Sequence, residues 1–180
     1  MVKLGAQELR TTIPTKEELL KIKKNDIYII LDNVLDTYNV GAIFRLADAV
    51  AVKKVYLCGE TETPPNSRIK KASINTTEWV EWEYAPTAFG AISNIKDQIS
   101  EIRIVAIEQT AKSVAYDKAE YRLPIALVVG NETYGVSKEV LEMADQIVEL
   151  PMFGINKSLN VMVSLGIVLY EVIKKNRIIQ

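Results

Sequence analysis

Histidine is absent from the 180 residues, and cysteine occurs once, at Cys58. Without imidazole there is no Ser-His-Asp or Cys-His nucleophile system, no His-ligated zinc and no ordinary imidazole base. A lone cysteine cannot pair within the chain, which fits a reducing cytoplasm better than an oxidising compartment. No apolar run reaches the length of about 18 residues needed for a membrane span, and the N-terminal MVKLGAQELR lacks a signal-peptide core. The expectation is a cytoplasmic protein without a membrane partner. An excess of charge is missing as well: 22 Lys and Arg face 23 Asp and Glu. That argues against coating a polyanion by bulk electrostatics.

The charge that is present is unevenly placed. Residues 1–24 carry six basic and three acidic groups, and residues 157–180 carry four basic and one acidic. The middle of the chain is correspondingly acidic. Basic ends on an acidic body can form a local patch for a polyanion, or can be solvated helix faces and nothing more. With 48% hydrophobic residues, the chain has the composition of one globular domain.

Periodicity supplies the elements. Thr15 with Glu18 is a capping-box pattern and predicts a short basic helix over 15–24. IYIILD (27–32), KKVYLC (53–58), IRIVAI (102–107), PIALVVG (124–130) and QIVEL (146–150) read as strands, as does the alternating WVEWEY (79–84). Helices are predicted over 40–50, 87–100, 137–144 and 158–175, with a helical turn at 70–73. Continuous rather than alternating apolarity in the strands predicts a parallel sheet covered on both faces, hence an α/β fold.

Three loops follow apolar strands, where ligands sit in open parallel sheets. In DNVLDTYNVGAIFR (32–45), Asn39 and Gly41 stand at a helix start and Arg45 one turn beyond Gly41. Their structural reading is an N-cap Asn and an Arg paired with Asp48. In GNETYG (130–135), Gly130 admits a ligand to the backbone and Gly135 supports a bend before a helix capped by Ser137; Glu132 reads structurally as an exposed turn carboxylate. In PMFGINKSLN (151–160), small donors and acceptors crowd a turn whose structural reading makes Ser158 the N-cap of the last helix. Neither a phosphate loop nor a GxGxxG fingerprint is present, because Asn156 stands where GINKS would need glycine.

Together, in this order, the loops resemble the three signature motifs of the SpoU/TrmH family of RNA ribose 2′-O-methyltransferases, in the SPOUT superfamily. Asn39, Gly41 and Arg45 match the first motif; Gly130, Glu132 and Gly135 the second; Pro151, Met152, Gly154, Ser158, Leu159, Asn160 and Val161 the third. TPPNSRIKKAS also looks like the family's loop before its third strand, and the match spans 27–175. Two departures are Met162, where a small polar residue is more usual, and SINTTEW, which replaces a small-residue and glycine pattern.

The resemblance implies a parallel-sheet SPOUT fold with a C-terminal trefoil knot, which general topology rules would not have suggested. It implies a short basic N-terminal extension (1–25) and a methyltransferase domain (26–180). S-adenosyl-L-methionine is the implied cofactor, contacting Ile107, Gly130, Leu150, Ser158 and Leu159. Arg45 is the implied catalytic residue, with Asn39, Glu132, Ser158 and Asn160 orienting it and the ribose. Structured RNA, either tRNA or rRNA, is the implied substrate, and the working form a homodimer. The competing expectation is a non-catalytic RNA- or ribosome-binding module that keeps the fold. Basic candidates for RNA contact are Lys21, Lys23 and Lys24; Arg68, Lys70 and Lys71; and Lys174, Lys175 and Arg177.

Overall fold

Strands with apolar residues at every position need cover on two sides, and that requirement shapes the molecule. The computed structural model describes residues 3–177, so the outermost residues of the expected 1–25 extension and 26–180 domain lie outside the described residues. β1 (Asn25–Asp32), β2 (Val52–Cys58), β3 (Trp82–Ala85), β4 (Arg103–Ile107), β5 (Val114–Ala115), β6 (Ile125–Gly130) and β7 (Gln146–Glu149) form one sheet in the order β3-β2-β1-β6-β4-β7-β5. Every pairing is parallel. Around it lie α1 (Ala6–Leu9), α2 (Lys16–Leu20), α3 (Thr37–Ala49), α4 (Ser67–Ser73), α5 (Ala88–Gln98), α6 (Lys138–Met143) and α7 (Val161–Lys175).

Side chains alternate across the strands, as the pleat requires. Ile27, Ile29, Leu31, Val55, Leu57, Val105, Leu127 and Val129 pack with Val40, Ile43 and Phe44 of α3 and Leu165, Val168 and Leu169 of α7. Tyr28, Ile30, Tyr56, Cys58, Ile104, Ala106 and Val128 pack on the other face with Ile92 and Ile95 of α5 and Val140 of α6. Among the described residues no helix is long and apolar enough to cross a membrane.

Several boundaries differ from the sequence expectation. The basic helix ends at Leu20, although its Thr15–Glu18 capping box is present. WVEWEY is a strand only from Trp82, because Thr76–Glu78 form a 3-10 turn that carries Trp79 at its end. The last helix begins at Val161, and its cap is Asn160, whose Oδ1 accepts from Met162 and Val163; Ser158 is not the cap. Ser137 occupies its expected cap position without a side-chain capping bond. α1 and β5 have four and two residues, too short for any periodicity to reveal.

Candidate active site

β1, β2 and β6 end level, with Asp32 opposite both Cys58 and Gly130. The chain must turn at the same height on neighbouring strands, so the loops converge. Buried Asp32 accepts from the Ser137 amide at 2.8 Å and from Asn33 Nδ2 at 2.9 Å, tying the first loop to the start of α6. Burial, with the Asp32 charge beside it, pushes the Cys58 thiol up to about 12, so the single cysteine stays protonated within the core.

The 130–135 loop folds on itself. Asn131 and Gly135 exchange backbone hydrogen bonds, and a Cβ on Gly130 would collide with the backbone of Gly135 and Val136. Gly135 has φ +72°, and a Cβ there would strike the Glu108 carboxylate. Glu108 in turn accepts from the Val136 amide at 2.9 Å. Gly130 is therefore required by the loop's own closure, whatever approaches from outside.

Glu132 lies at the tip of this loop and is not a free turn carboxylate. It accepts from the amides of Leu35 and Asp36, each at 3.0 Å, and from Asn39 Nδ2 at 2.9 Å. Burial alone would raise its pKa, but Asn39 and the two backbone donors outweigh it and hold the carboxyl below its ordinary value. Asn39 is buried in the first turn of α3; the cap is Asp36, which accepts from the Tyr38 amide. Because Asp36 caps the helix, the Asn39 amide is free to act elsewhere: its Oδ1 accepts from Asn160 Nδ2 at 2.9 Å. Glu132, Asn39 and Asn160 thus form one hydrogen-bonded line through all three loops.

These loops surround a cavity of about 540 Å³ beyond the ends of β4, β6 and β7. Ile107, Gly130, Leu150, Ser158 and Leu159 all line it, as do Asn39, Glu132 and Asn160. Arg45 does not line it. It is exposed, six residues past Asn39 on α3 and so about 9 Å further along the helix on a different side. Arg45 has no hydrogen-bond or ion-pair partner among the described residues; Asp48 instead accepts from Trp79 Nε1 at 2.6 Å.

Asp32, Glu108 and Asn131 were missed by sequence reading. Asn131 caps its own loop, accepting from Thr133 and Tyr134 while donating to the Asn33 carbonyl. The only local signal was a polar residue directly after an apolar strand. The cavity holds Asp36, Glu108, Glu132 and Glu149 against a single Lys157, so it favours a cationic group. The 151–160 segment has no regular structure, and of the backbone N–H donors from Met152 to Leu159 only that of Ser158 finds a partner among the described residues, while the Lys157 carbonyl accepts from Gln109 Nε2 at 2.8 Å. Unpaired backbone donors beside Leu150 and Leu159 suit a polar heterocycle.

The SpoU rRNA Methylase family model matches residues 26–170. A tRNA (guanosine(18)-2′-O)-methyltransferase of Aquifex aeolicus is 36% identical over 160 residues, covering 86% of this chain and 72% of the relative. Among solved structures, the A. aeolicus TrmH/SpoU tRNA modifying enzyme superposes with TM-score 0.78 at 32% identity, over 96% of this chain and 82% of that one. An AdoMet-bound rRNA methyltransferase from Sinorhizobium meliloti superposes with TM-score 0.75 at 28% identity, over 92% of this chain and 59% of that one.

Proposed function

The chain belongs to the SpoU rRNA methylase family, and from that premise we propose that it transfers a methyl group from S-adenosyl-L-methionine to a ribose 2′-hydroxyl of tRNA or rRNA. The observation that carries this is the line Glu132–Asn39–Asn160, which fixes the three motif loops around one acidic, donor-rich cavity. The relatives' named activities and the AdoMet-bound neighbour support the same substrate class and cofactor.

When bound, the cofactor supplies a methyl group on a positively charged sulfur, open to in-line attack by an oxygen nucleophile. Glu108, Glu132 and Glu149 give that charge a favourable field, Leu150 and Leu159 give apolar walls, and the 152–159 backbone gives donors. Ser158 and Asn160 stand at the mouth, where the ribose would be oriented. Arg45 is assigned the RNA phosphate next to the target and the charge developing on the 2′-oxygen. A guanidinium keeps its proton in proteins, so a phosphate oxygen or water takes the hydroxyl proton.

This reading includes a homodimer. On α7, Val163, Ile167 and Tyr170 are 39%, 36% and 53% exposed at helical spacing. Because Arg45 does not line its own cavity, we assign one protomer's Arg45 to the other's cavity in this dimer. The reading also includes one domain over 26–180 with a trefoil knot. Supporting it, β6 inserts between β1 and β4, and Lys175 and Asn176 at the end of α7 are bound to the carbonyls of Asp117, Ala119 and Tyr121 in the β4–β6 connection.

The test is labelled-methyl transfer to tRNA transcripts and to rRNA fragments. Arg45→Ala should lower turnover at least about 100-fold, the usual loss for one group that stabilises developing charge, with cofactor affinity unchanged. An RNA with 2′-deoxyribose at the target should accept nothing. Undiminished transfer by Arg45→Ala would refute the arginine's role, and transfer to the deoxy substrate would refute the ribose.

A further inference from the structure

A second cavity, of about 440 Å³, lies at the sheet edge between α4, the 3-10 turn and the first residue of β3. Its walls include Pro64, Pro65, Lys70, Thr77, Glu78 and Trp82. We propose that it is a second RNA subsite, holding an unpaired nucleotide of the substrate at a fixed distance from the nucleotide being methylated. The proposal rests on the RNA methyltransferase reading above.

Three observations converge on that ligand. Trp82 is half-buried, with its indole N–H unbonded among the described residues, so one edge is anchored on the core while ring surface and donor remain open. Trp79, by contrast, is committed to Asp48. Beside Trp82, Thr77 and Glu78 offer a hydroxyl and a carboxylate, groups that pair with the polar edge of a base rather than with phosphate. Flanking the cavity, α4 exposes Arg68, Lys70 and Lys71, none with a carboxylate partner among the described residues. An aromatic platform beside a cationic track is how single-stranded nucleic acid is held.

The placement suits one continuous substrate. Trp82 is level with Leu127, through Val55 and Ile29, and lies three strands from β6 on the same sheet face as α3 and α7. Three inter-strand spacings across and three residues up put Trp82 about 17 Å from Gly130 at the main cavity. α4 lies against α3, the helix that bears Arg45, with Lys70 on the Trp82 side. Within one protomer RNA running from Trp82 to the main cavity therefore crosses α4, where Arg68, Lys70 and Lys71 meet its phosphates.

The experiment uses Trp79→Phe, which leaves Trp82 as the sole tryptophan, titrated with a short mixed-sequence single-stranded oligoribonucleotide and with its blunt duplex. Saturable quenching by the single strand and none by the duplex is expected. Measured by anisotropy of a dye-labelled single strand, which needs no tryptophan, Lys70→Glu and Trp82→Leu should each weaken binding about ten-fold, with Trp82→Phe close to wild type because stacking survives. In methylation assays the same two changes should raise KM for RNA by a similar factor, with kcat and cofactor affinity unchanged. Absence of quenching, equal quenching by the duplex, or an unchanged KM in both variants would overturn the subsite. Quenching needs no turnover, so a chain that binds the single strand through Trp82 yet methylates no RNA would refute the function and leave the subsite standing.

Discussion

Glu132 serves three donors with two oxygens, Oε2 taking the Leu35 amide and Oε1 taking both Asp36 and Asn39. Glutamine cannot replace it, because an NH₂ would face a backbone N–H. Glu132→Gln should therefore destabilise by about 1 kcal/mol, below the usual range for bonds to a charged group because this one is substantially exposed. Urea unfolding measures it, and a midpoint equal to wild type would remove the clamp role. The sign with pH follows from the lowered folded value. The contribution is present above the ordinary carboxyl value of 4.5 and is lost as pH falls through the lower one. At this scale the sequence named the residues but not their bonds: Glu132 is no free turn carboxylate, and Asn39 and Ser158 are not the helix caps. Glu132 and its partners are 93 to 97 positions apart, and the Asn39–Asn160 contact spans 121. No local spacing contains such a contact; only the family motifs placed these residues together.

Among the elements, the α3–α4 packing decides where the basic helix sits. A Cβ on Gly41 would come within 2.6 Å of Ala72 Cβ and 2.7 Å of the Ile69 carbonyl oxygen. Elsewhere in a helix, glycine to alanine gains up to about 1 kcal/mol of propensity. Here overpacking against backbone costs about 1–3 kcal/mol, so Gly41→Ala should be a net loss. Thermal unfolding of the variant should show a lower Tm; an increase would mean that α4 can move aside freely. The longer strands were legible because continuous apolarity has one explanation in an α/β sheet, and the starts of α2, α5 and α6 fall at Thr15, Thr87 and Ser137 as expected, whereas the caps of α3 and α7 were not legible. Asp36 and Asn160, rather than Asn39 and Ser158, cap α3 and α7, since several polar residues in a row compete and tertiary partners choose among them.

The basic clusters seen along the chain resolve differently once the molecule is assembled. Lys174 and Lys175 pair with buried Glu171 at 3.2 and 3.8 Å, and Lys175 also binds the Asp117 and Ala119 carbonyls, so much of the C-terminal cluster serves packing. Arg68, Lys70 and Lys71 remain open on α4, and Arg45 on α3. The Glu171 pairs are local helical spacings, but periodicity cannot show that Lys175 is also spent on carbonyls 56 to 58 residues away. The arginine's separation from its own cavity has a direct consequence for assembly. If one protomer's Arg45 completes the other's site, Arg45→Ala and Ser158→Ala homodimers are both inactive, but a heterodimer carrying one of each has one intact site. Purified through two affinity tags, it should show about half the wild-type rate per dimer, as two-fold symmetry dictates. Were each arginine to serve its own protomer, both sites would be broken and the heterodimer would be as inactive as its parents.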